Sequence, residues 1–164
     1  MAKFVTGIVN DRMSAEFTVD RLVQAGFSME DISVLMSTAT RGREFGVIDS
    51  TKAPEGAAAG AAIGGVLGAI AAGLVAVGIV AAPGLGLVAA GPLLALLAGA
   101  GAGGGAGGLI GGLVGTGLPE HEARLYSDKV EHGGILVGVF AHDDKAKEAE
   151  KILEGIGARS VSTR

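Results

Sequence analysis

Histidines with acidic neighbours are the residues of this chain whose types and spacing come nearest to chemistry. His121 lies between Glu120 and Glu122, and His142 precedes Asp143 and Asp144. Imidazole beside carboxylate is a donor set for a divalent metal. Both clusters also stand where a helix begins. There, acidic side chains favour the positive end of the helix dipole and cap free N–H groups, which requires no metal. His132 falls near a helix end, as a solvated cation. The chain has no Cys, so thiolate ligands and disulfides are excluded. Its serines lack the His and Asp pattern of a nucleophilic triad. The run GLGLVAAG, residues 84–91, lacks G-x-G-x-x-G spacing and follows an apolar segment where a strand is required. No lysine is at hand there for a P-loop. No catalytic residue, metal ligand or cofactor site follows, and the expectation is a protein that is not an enzyme.

The elements that would position any site divide by charge. Between Glu55 and Glu120 there is no ionisable residue, while the net charge of −4 splits evenly over the two flanks. Neither flank is basic, which argues against a nucleic-acid partner. The N-terminus, MAKFVTGIVNDR, brings charges before any apolar run of signal-peptide length. The flanks are related to each other. A shift of 131 residues lays Val5–Phe27 over Leu136–Ala158, with Gly7 on Gly138, Ala15 on Ala146, Leu22 on Leu153 and Gly26 on Gly157. Each copy reads strand, polar turn, helix, glycine, strand. Ala15, Val19, Leu22 and Val23 share one helix face, as do Ala146, Ala149, Leu153 and Ile156. Gly26 and Gly157 stand where a helix C-terminal glycine belongs.

Two such halves predict an α+β fold of the ferredoxin-like split βαβ type, a four-stranded antiparallel sheet with two helices on one face. Residues 1–50 supply the first half and residues 119–164 a helix plus the second half. The helix, within Pro119–Gly134, carries Ala123, Tyr126 and Val130 on one face. Between the second and third strands, residues 56–118 form an apolar Gly/Ala-rich insert, expected to contribute little to the domain's core.

Pro83 and Pro92 divide this insert into Ala57–Ala82 and Pro92–Gly117, joined by PGLGLVAAG. As helices, each would be long enough to cross a hydrocarbon layer of ~30 Å. Gly56, Gly60, Gly64 and Gly68 recur every four residues in the first. Gly99, Gly103, Gly107, Gly111 and Gly115 do so in the second, with Gly104, Gly108 and Gly112 on a neighbouring row. Such a repeat makes a stripe without side chains, against which another helix backbone can pack closely. In an antiparallel hairpin the two runs meet at the same depth, and the spare row predicts contacts between copies. Leu109 and Val114 would then face lipid or loose neighbours. The flanking Arg41, Arg43, Lys52, Arg124 and Lys129 place both termini of a spanning hairpin in the cytoplasm, at a bacterial inner membrane. An uncharged tip equally permits a hairpin that only dips into the bilayer, or a membrane-free cytoplasmic particle or fibre. A Gly/Ala coil or silk-like β-structure is the plainer alternative.

The stretches AGFSMEDISVLMS, TRGREFGV, KAPEGAAAGAAIGG, PGLGLVAAGPL and GLPEHEARLYSDKVEHGGILVGV together resemble a bacterial family of general or heat-induced stress proteins. The resemblance runs nearly end to end. It implies a glycine-zipper-like hydrophobic centre between two α+β segments, and an association with stress and the membrane. It implies no catalytic residue. The partner expected is the protein itself, with membrane lipid, and a small-ligand regulatory module is the alternative that the fold type suggests.

Overall fold

The computed structural model describes residues 2–45, 87–93 and 106–163. Strand β1 is Ala2–Val9 and helix α1 is Arg12–Gln24, followed by a 3-10 turn, Met29–Asp31. Strand β2 is Ile32–Ser37, helix α2 Thr38–Phe45 and strand β3 Leu87–Ala90. Helices α3, Ala106–Gly115, and α4, Glu120–Glu131, precede strand β4, Ile135–His142. Helix α5, Asp143–Gly155, and strand β5, Arg159–Thr163, complete the order. The fold is α+β.

Local chemistry explains where the two repeated helices start and stop. The Asp11 carboxylate accepts the Ser14 N–H at 2.8 Å, which satisfies one free donor at the start of α1. At its end, Gly26 turns left-handed at φ 84°, and Phe27 N–H donates to Leu22 C=O. Helix α5 closes the same way, with Gly157 at φ 79° and Ala158 N–H on Leu153 C=O. Both are the doubly bonded glycine terminus that a β-carbon would strain. The 131-residue shift that aligns the flanks carries the limits of α1 onto those of α5.

The sheet has five strands in the order β3-β2-β4-β1-β5, and every pairing is antiparallel. Strand β4 therefore lies between β1 and β2, and β1 lies between β4 and β5. Each βαβ half straddles a strand of the other half. The β1–β4 ladder runs unbroken from Ala2↔His142 to Val9↔Ile135.

Both faces of this sheet are covered, which corrects the expectation of four strands with helices on one face. On the first face Val5, Val9, Val34, Val137 and Val139 pack under Ala15, Val19 and Leu22 of α1 and Ala146, Ala149 and Leu153 of α5. On the second, Phe4, Ile8, Leu35 and Leu136 pack with Ala123, Tyr126 and Val130 of α4. Ala89, Leu93, Leu109, Leu113 and Leu118, all from the insert, complete that second core. Fully burying an aliphatic or aromatic side chain contributes about 1.5–3 kcal/mol. The described part of the insert, residues 87–93 and 106–118, thus belongs to the domain's core.

The segment expected at the hairpin tip is also corrected. Leu87–Ala90 forms β3 and pairs with β2, from Val34↔Ala90 to Ser37↔Leu87. Gly91 follows at φ 79°, so close to β2 that a β-carbon would collide with the Ile32 carbonyl. The buried Ser33 hydroxyl then accepts the Leu93 N–H at 3.2 Å. These bonds stitch the insert to a sheet edge.

Nor is the inner-membrane location upheld. Among the described residues no helix is long and apolar enough to cross a membrane. The described part of Pro92–Gly117 includes the ten-residue α3, whose Leu109 and Leu113 turn into the domain, so Leu109 does not face lipid. An uncharged sequence of this kind satisfies a hydropathy rule, but a sheet face can bury it as well as a bilayer can.

Candidate functional site

Helix α3 is where the sequence-derived site and the structure meet. Five of its ten residues, AGGLIGGLVG, are glycine, each costing a helix about 1 kcal/mol against alanine. Packing must offset that cost. Leu109 and Leu113, four residues apart, are both buried, and Gly108 and Gly112 are buried beside them. The other row, Gly107, Gly111 and Gly115, is exposed. A β-carbon at Gly107 or Gly115 would meet no atom within 4 Å. Val114, 42% exposed, shares this outer face. The result is an open, apolar stripe without side chains on the outer surface of the second layer. Gly56, Gly60, Gly64, Gly68, Gly99 and Gly103 lie outside the described residues.

Helix α4 packs beside α3 and carries most of the candidate chemistry. Glu120 accepts Arg124 at 3.1 Å from Nε and 2.6 Å from NH2, an exposed i,i+4 pair of little energetic weight. Its neighbour His121 is exposed and stands 4.0 Å from Glu122. At the far end, the His132 ring lies 2.7 Å from the Asp128 carbonyl and 3.4 Å from its carboxylate. The carbonyl hydrogen bond first, then the Asp128 charge, raises the His132 pKa above its ordinary value. A cation at a helix C-terminus is favourable, and Lys129 occupies the same last turn.

The second histidine cluster serves the start of α5. His142 is the exposed residue at its N-cap, Asp143 and Asp144 occupy the first turn, and Asp143 lies 3.8 Å from Lys3. Among the described residues no group of three or more His, Asp or Glu is placed to hold a metal. The described part of GLGLVAAG is a strand rather than a phosphate loop. Ser127 is buried, and among the described residues its hydroxyl has no hydrogen-bond partner.

The outer face of α1 carries large apolar side chains as well. Met13 and Phe17 are 78% and 54% exposed, and the Arg21 guanidinium sits 5.5 Å above the Phe17 ring. Their signal was available: two large apolar residues at i,i+4 on the side away from Ala15, Val19 and Leu22. Val23, expected on the core face, is instead at its edge, 37% exposed.

No family model, curated protein or solved structure matches the chain. Fold and site together define an α+β protein that carries part of a glycine-rich apolar insert as the second layer of its own sheet.

Proposed function

We propose that this protein is a non-enzymatic, self-associating stress protein whose glycine-striped insert joins copies into a membrane-free oligomer or lattice. The observation that carries this reading is the exposed row Gly107, Gly111 and Gly115 on α3. A helix half made of glycine is a poor choice unless its bare backbone is used. Gly108 and Gly112 are buried, and the exposed row leaves a bare backbone that a second helix can approach closely. The sequence carries a second run of the same four-residue period, Gly56, Gly60, Gly64 and Gly68, with no charge between Glu55 and Glu120. Close backbone contact gains dispersion energy along the helix and removes apolar surface from water. The stress context rests on the resemblance of the sequence to general stress proteins. The ferredoxin-like scheme is part of the same reading, and the order β2-β4-β1-β5 with α1 and α5 on one face supports it.

The test is the pair Gly107→Leu and Gly111→Leu, read by light scattering and electron microscopy. Leucine favours a helix over glycine by roughly 1 kcal/mol per site, so lost assembly would not come from a melted α3. The expected result is a folded protein, by circular dichroism, that no longer assembles. Oligomers of unchanged size in the double variant would refute the proposal.

A further inference from the structure

We draw no further inference here: the strongest candidate, the apolar Met13–Phe17 patch on the outer face of α1 with Arg21 stacked over the Phe17 ring, is an unpartnered helix face, and nothing in the structure shows what covers it.

Discussion

Replacing Leu113 by alanine separates a packed α3 from a loose apolar tract. Leu113 is fully buried in the second core, together with Phe4, Leu35, Tyr126 and Leu136. Truncating a buried leucine costs about 2–5 kcal/mol, because the lost transfer energy is joined by the cavity left behind. A typical domain is stable by only about 5–15 kcal/mol, so the loss would be a large share of the whole. At this chain length about 3 kcal/mol corresponds to a fall in Tm of roughly 6–12 °C. Val114, one residue on, is 42% exposed, and its change to alanine should stay within about 0.5 kcal/mol. The assay is urea unfolding followed by circular dichroism and by fluorescence of Tyr126, the single tyrosine, which reports from the same core. The two variants should differ by at least about 1.5 kcal/mol at unchanged slope. Equal midpoints for Leu113→Ala and Val114→Ala would refute the packing of α3 on the sheet.

Joining Ser37 to His132 through a short turn removes α2, β3, α3 and α4 and bares Phe4, Ile8, Leu35 and Leu136. That product should aggregate or bind a hydrophobic dye, whereas a monomeric, cooperatively unfolding product would show that the second layer is dispensable. Gly138→Ala would drive a β-carbon into the Phe4 ring, and overpacking of this kind costs about 1–3 kcal/mol, read as a lower urea midpoint. His132 has a raised folded pKa, so its contribution to stability is fully present below the ordinary histidine value and is lost as pH rises through the raised one. The difference in Tm between the parent and His132→Gln, followed across that window, should therefore shrink with rising pH, and a constant difference would rule the effect out.

What the sequence determined by itself are the features that depend on neighbours along the chain. The glycine termini at Gly26 and Gly157 and the core rows Ala15, Val19 and Leu22 of α1 and Ala146, Ala149 and Leu153 of α5 were legible, because capping and helical period are short-range, whereas Val23 and Ile156 fall outside the core. So was the relation between the flanks, and with it the pair of βαβ halves. The inward face of α4, Ala123, Tyr126 and Val130, was legible for the same reason. Tertiary structure decided the rest. Phe4, Ile8, Leu35 and Leu136 form a second apolar sheet face, and some element had to cover it. An uncharged Gly/Ala tract answers equally to lipid, to another helix or to a sheet, since burial is non-directional and rewards any apolar partner. LVAA became a strand because β2 offered an unpaired edge, a long-range pairing that no local propensity encodes. The histidine clusters looked like metal donors in one dimension. Among the described residues, folding places no three of these side chains around a common point, and His121 and His142 are exposed at the starts of α4 and α5.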